Sequence, residues 1–201
     1  MRTSYSAEEL LRAAIAAIDG PPERVIDALD AVPAPVYVAD AQGVITHFNR
    51  ACIIFAGRVP DPGSDRWNPS WRMWTPSGEP LMPDQTPMAI AIREQRPIRD
   101  VEVIAERPDG TRIHCLPHPT PIFDLDGEFL GVINLILDVT ATREAERLRS
   151  QAARCRWLVT TLSDESSIAT LIAMAAEYEA AAARIEREGS PLGQESRHLR
   201  R

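Results

Sequence analysis

The chain has 201 residues, of which 44% are hydrophobic and 25% charged, and its net charge is -7. This suits one globular core with extensions and argues against a general nucleic-acid surface or adhesion to an anionic membrane. No apolar run is long enough to span a bilayer, the N-terminus lacks a signal-peptide core, and three scattered cysteines (Cys52, Cys115, Cys155) fit a reducing cytoplasm better than a disulfide framework or metal site.

Ser6-Ala7-Glu8-Glu9 is a capping box, and it predicts a helix through Leu10, Leu11, Ala14, Ile15 and Ile18, stopped by Gly20 and Pro21. Pro22 suits the first turn of a second helix, Glu23 to Val32, with Val25, Ile26, Leu29 and Val32 on one face. Pro35 to Ala39 reads as a strand, Asp40-Ala41-Gln42-Gly43 as a turn, and Val44 to Phe48 as the returning strand. Asn49-Arg50-Ala51 opens a short helix, Cys52 to Ala56, ended by Gly57. Residues 58–87 read as an irregular proline-rich loop in which Trp67, Trp71 and Trp74 supply the ties. Asp84 is the expected cap of the following helix, which has Pro87 in its first turn and runs to about Gln95.

Ile98 to Glu106 and Thr111 to Leu116 are expected strands around the Asp109-Gly110 turn, with Pro117 and Pro119 breaking the second. Phe129 to Leu137 is the last strand, reached through the Asp126-Gly127 turn. It is apolar on both faces, so both faces need cover, one of them from the N-terminal helices or a second subunit. Beyond it, Ala145, Leu148, Ala152, Cys155, Val159 and Leu162 form one coiled-coil seam. Ser163-Asp164-Glu165 starts another helix, whose seam is Ile168, Leu171, Ala175, Tyr178, Ala182 and Ile185. Either an antiparallel hairpin or a dimeric coil satisfies that pattern. The expected organisation is an N-terminal helical extension (1–32), a sheet domain (33–140), a helical segment (141–188) and a disordered tail (189–201).

Residues 29 to 147 resemble a PAS sensory domain throughout. The matching signs are Asp40 to Gly43 with Val44-Ile45, Phe48-Asn49-Arg50-Ala51, Gly57-Arg58, Asp109-Gly110-Thr111, Asp126-Gly127 and Asp138-Val139-Thr140. The resemblance implies an α+β fold: a five-stranded antiparallel sheet with helices on one face, here flanked by N-terminal helices and a C-terminal helical hairpin. Trp67-Asn68-Pro69-Ser70-Trp71-Arg72, Gly78-Glu79-Pro80-Leu81, Pro87-Met88-Ala89 and the run from Glu106 to Arg112 are similar to the PAS subtype of alphaproteobacterial HWE-class sensor histidine kinases. No phosphoacceptor histidine or glycine-rich ATP loop follows Thr140, so no kinase activity, and no enzyme activity of any kind, is expected.

Six residues are candidates for a ligand pocket: Trp67, Trp71, Trp74, His114, His118 and Asn134. The tryptophans either line a pocket or anchor their loop to the core. His114 and His118 share strand parity and could ligate iron or a metal, or serve as satisfied polar residues on a half-exposed strand. Asn134 interrupts an apolar run, and its amide needs a partner, either a ligand or the neighbouring loop. Cys52 stands in the wrong element and sequence context for the flavin-adduct cysteine of light-sensing PAS relatives, and reads as a small buried hydrophobe. The resemblance implies that Asp138 and Thr140 couple the sheet to the outgoing helix, with Thr140 able to cap it.

The resulting expectation is a stand-alone sensory module, without a required cofactor, that relays a small-ligand or partner signal by protein–protein interaction. It would act as a homodimer on a two-component or transcriptional stress-response partner, such as a histidine kinase or response regulator. The alternative is a haem- or flavin-binding redox protein or enzyme.

Overall fold

Asp-Gly turns and side-chain caps set the order of elements. A computed structural model describes residues 6–18 and 24–189. Two compact units result, one through Asp138 and one from Val139 on. The first contains α1 (Ala7–Ile18), α2 (Val25–Asp30), β1 (Val36–Asp40), β2 (Ile45–Phe48), α3 (Arg50–Ala56), β3 (Arg72–Trp74), α4 (Pro87–Glu94), β4 (Val103–Glu106), β5 (Arg112–Phe123) and β6 (Phe129–Asp138). The second contains α5 (Thr140–Val159) and α6 (Glu165–Glu188).

The capping box forms as its residues require. Ser6 N–H donates to Glu9 Oε2 at 2.7 Å, and Glu9 N–H donates to Ser6 Oγ at 3.2 Å. The expected stop at Gly20 and Pro21, the start at Pro22 and the tail beyond Gly189 lie outside the described residues. The β1–β2 turn is held by Asp40 Oδ1, which accepts from the N–H of Gln42 and of Val44, both at 2.9 Å. Asp124 repeats the device between β5 and β6, accepting from Asp126 and Glu128. Gly43 closes the first turn at φ 83, and a Cβ there would stand 2.5 Å from Trp67 Nε1.

The sheet is antiparallel in the order β2-β1-β6-β5-β4-β3. It has six strands, not five. β3 comes from the loop read as irregular, where Trp71 N–H donates to Glu106 O at 3.1 Å and Met73 pairs with Ala105. Three residues without alternation and flanked by prolines carry no local strand signal. Its pairing to β4 supplies the order.

The prolines do not end β5. Pro117, Pro119 and Pro121 lie within it and pair in register with Ile136, Asn134 and Val132. The Pro119 carbonyl accepts from Ile98 N–H, so these alternate residues turn their backbone polar groups away from β6. The missing N–H groups therefore fall where β4, paired only through Cys115, has already ended.

Register sorts the side chains of β6 to two faces. Ile133 and Leu135 join Val36, Val38, Leu29 and Ala14 in a cluster built from α1, α2, β1 and β6. We call this the outer face. Tyr37, Asn134 and Cys115 have the opposite parity and form the inner face. Cys52 of α3 lies close enough to Tyr37 to act on its hydroxyl. α4 packs on β5 and β6, burying Met88 and Ala91.

Asn49 fastens these layers. As N-cap of α3 its Oδ1 accepts from Cys52 N–H and Val36 N–H, both at 3.0 Å. Its Nδ2 donates to the carbonyls of Ala34 at 2.8 Å and Leu29 at 3.1 Å. α3 ends in a left-handed Gly57, and Arg107 reaches its last carbonyls from the β4–β5 turn, with Nη2 2.7 Å from Ile54 O. α4 is capped by Thr86, whose Oγ1 accepts from Ala89 N–H at 3.3 Å. The expected cap, Asp84, sits one turn earlier in a 3-10 turn, Pro83–Gln85.

The second unit is an antiparallel intrachain hairpin. Asp164 caps α6 by accepting from Ser167 N–H at 2.8 Å. Arg149 bridges to Glu186 at 2.6 Å and Arg156 to Glu179, which fixes the register of the helices. Ala145, Leu148 and Ala182 form one buried cluster along the seam, and Ala152, Cys155 and Ala175 another.

Candidate functional site

The inner face carries a buried polar chain. Asn134, 2% exposed, projects from β6 opposite Tyr37 of β1, which is 1% exposed. Asn134 Nδ2 donates to the Tyr37 hydroxyl at 2.9 Å, and that hydroxyl donates to the Trp67 carbonyl at 2.8 Å. Burial pushes the Tyr37 pKa far above its ordinary value, so the hydroxyl stays a protonated donor. Asn134 Oδ1 is buried with no hydrogen-bond partner among the described residues. A buried carbonyl oxygen left open costs about 1–3 kcal/mol, so this one marks a place where a donor belongs.

Two thiols share the surroundings. Cys52 and Cys115 are both buried, and burial raises both pKa values far above the ordinary thiol range. Both are neutral at physiological pH and neither is a thiolate nucleophile. This face thus buries a phenol, an amide and two neutral thiols among apolar groups, with Arg58 near enough to act on Cys52, and Asp138 and Glu102 on Cys115.

The six pocket candidates do not gather at one place. Asn134 is on the inner face. His114 and His118 do share one side of β5, but it is the outer side, where they pair with Ile104 and Leu135. His114 Nδ1 lies 2.8 Å from Glu102 Oε1, and His118 Nδ1 lies 3.0 Å from Leu116 O. Burial lowers the His118 pKa, with smaller opposing effects from the Leu116 carbonyl and Asp100 and a further lowering by Arg99. Trp74 is on the outer side of β3, with the Arg112 guanidinium 4.4 Å from its ring centroid. Trp71 is exposed and is tied by its backbone. Trp67 packs over Gly43, and only its carbonyl reaches the Asn134–Tyr37 chain. The tryptophans anchor the 58–87 loop at separate points.

Residues considered for haem or flavin are dispersed in the same way, with Cys52 in α3 and the two histidines on the outer face. They assemble no common site for such a group.

Asp138 is the last residue of β6 and Thr140 the first of α5. Val139, with φ -112 and ψ 12, is the N-cap position, and Thr140 is the first residue of the helix. Sequence reasoning missed Tyr37 and Asn49. A tyrosine amid apolar strand neighbours was the available signal, since a buried hydroxyl needs a partner.

The family model for the PAS fold matches residues 29–144, more than half of the chain. This chain belongs to the PAS family. Several solved PAS domains resemble it. One from a protein of Colwellia psychrerythraea is 19% identical, covering 57% of this chain and 92% of that one at a TM-score of 0.42. The PAS domain of the fruit-fly ELK potassium channel is 16% identical, covering 57% and 93% at 0.45. That of Bordetella pertussis BvgS is 20% identical, covering 62% and 90% at 0.40. No curated protein matches the chain. Family membership makes this a sensory or signalling module in the broad sense. Among the described residues, no helix is long and apolar enough to cross a membrane.

Proposed function

We propose that this PAS protein is a non-enzymatic sensory module that takes up a small neutral ligand on the inner face of its sheet and passes the change on by protein–protein interaction. The observation that carries this reading is the open, buried Oδ1 of Asn134. The acceptor selects a ligand that donates a hydrogen bond. The groups bonded in this chain, the Asn134 amide, the Tyr37 hydroxyl and the Trp67 carbonyl, are uncharged, which disfavours a charged ligand at that oxygen. The same strand, β6, passes through one residue into α5, so a shift at Asn134 has a short covalent route to the helix through Asp138 and Thr140. The resemblance to HWE-class kinase sensors supports a two-component protein, a histidine kinase or response regulator, as the recipient.

Native mass spectrometry of the purified full chain tests the ligand. A bound small molecule is expected on the wild type and absent from Asn134→Leu; equal occupancy of both would overturn the assignment. For the relay, Asp138→Ala with Thr140→Ala should leave melting near native while changing hydrogen exchange in residues 141–159. Unchanged exchange with the fold intact removes the relay role.

A further inference from the structure

β2 and β3 are opposite edges of the sheet, so the chain between them has to cross it. It crosses on the inner face, through α3 and residues 57–71. One mooring lies beside the β1–β2 turn, where Ile45 N–H donates to Asp65 O and Trp67 N–H donates to Gly43 O, both at 2.8 Å. The other is Trp71 N–H, which donates to Glu106 O of β4. Asn68, Pro69 and Ser70 lie between them, and the bond from Ser70 N–H to Asn68 Oδ1 stays within the stretch. Among the described residues, the hydrogen bond that ties residues 67–70 to the sheet between those moorings is the one from the Tyr37 hydroxyl to the Trp67 carbonyl.

That carbonyl belongs to a strained residue. Asn68 N–H donates to Arg66 O at 2.8 Å, two residues back, and Trp67 between them has φ 64. An i to i+2 bond around a positive φ is the rare, strained form of the γ-turn, and a bulky side chain is poorly suited to it. Trp67 is fixed there at its N–H, its ring and its carbonyl. The N–H is bonded to Gly43, and the ring lies against the bare backbone of that glycine, where a Cβ would stand 2.5 Å from Nε1. Arg66 holds the ring from another side, with its guanidinium 5.2 Å from the ring centroid and Nη2 2.7 Å from Gln42 O. These contacts all belong to the β1–β2 turn. The carbonyl alone is held from the buried inner face. Strain of this kind persists only while the surroundings over-determine it.

We propose that Trp67 is a strained joint whose release uncovers the inner face. A phenol has a single proton to donate. While the Trp67 carbonyl accepts it, residues 67–70 stay closed beside Tyr37. An acceptor arriving on the inner face that takes this proton frees the carbonyl. The γ-turn then relaxes to negative φ, and residues 67–70 lift while their ends stay moored at Gly43 and Glu106. The joint can be judged apart from the ligand reading above, because Tyr37→Phe removes the proton with no ligand present.

Hydrogen exchange on the full chain, read residue by residue by NMR, tests this. In Tyr37→Phe the Asn68 N–H should exchange about tenfold or more faster, while the β1–β6 amides keep their wild-type protection. Iodoacetamide should label Cys52, buried beside Tyr37, faster than in the wild type, with Cys155 of the second unit unchanged as the control. Trp67→Ala and Trp67→Gly both lose the ring, and only glycine takes this φ without strain, so Asn68 protection should be about threefold or more higher in Trp67→Gly. Unchanged Asn68 exchange in Tyr37→Phe overturns the joint. Faster exchange without faster Cys52 labelling overturns the closure of the inner face. If Tyr37→Phe loosens the whole sheet, the two Trp67 variants decide: equal protection, or lower protection in Trp67→Gly, removes the strain and the proposal with it.

Discussion

The outer face of the sheet is closed by α1 and α2 with apolar side chains, whereas the inner face keeps a tyrosine, an asparagine and two thiols buried beside α3 and α4. Both faces exclude water, and β6 serves both, sending Ile133 and Leu135 one way and Asn134 the other. They differ in what is left over. The cluster under α1 and α2 is satisfied by packing alone, and the outer side's one buried polar atom without a partner among the described residues, Trp74 Nε1, lies away from it on β3. The inner face holds an oxygen that packing cannot satisfy. A fold that seals one face so fully can retain a polar defect on the other, because its stability does not depend on that defect.

The contrast can be broken most sharply from the outer side. Leu29 is fully buried at the centre of that cluster. Leu29→Ala should cost about 2–5 kcal/mol in urea denaturation, since it removes methyl groups from a site with little room to collapse. On the inner side, Asn134→Leu should change stability by no more than about 1 kcal/mol, because it removes the open acceptor together with one donor, and the Tyr37 hydroxyl keeps its bond to Trp67. A loss as large as that of Leu29→Ala would show that the polar chain is structural cement and not a ligand position.

The smallest effect is one of pH. His118 is the partly buried titrating group at the edge of the outer cluster, facing Arg99 and Asp100. Its folded pKa lies below the ordinary 6.5, so the unfolded chain binds the proton more readily. Stability should therefore be level above 6.5 and decline as pH falls from there through the lowered folded value. His118→Gln should flatten this part of the urea-midpoint profile, and an unchanged slope would place the dependence elsewhere.

What could be read in the sequence was local. The Ser6 box, the Asp40, Asp109 and Asp126-Gly127 turns and the Asp164 cap each lie within a few residues, so spacing alone discloses them. β3 could not be read, because its order comes from β4, about thirty residues on, and not from its own three residues. Asn134 was legible as an interruption, but its partner Tyr37 is 97 residues away. Its open oxygen is a property of the packed fold and has no sequence signature. The tryptophans misled for a related reason: proximity in sequence suggested a shared pocket, while the loop's own course spread them over both sides of the sheet. The choice between hairpin and dimeric coil needed the Arg149–Glu186 register, which only the folded chain supplies.

One consequence of the proline run in β5 concerns what this protein does not do. Past Cys115 the strand has no full neighbour on its β4 side, and such a margin ordinarily invites a strand from another molecule. Here Pro117, Pro119 and Pro121 point their nitrogens that way, and the Pro119 carbonyl is already taken by Ile98 and Arg99. An incoming strand would find no donors over five residues of backbone. The margin is thereby closed to β-augmentation and to the growth of extended aggregates, without a helix to cover it and without a charge between Pro117 and Pro121.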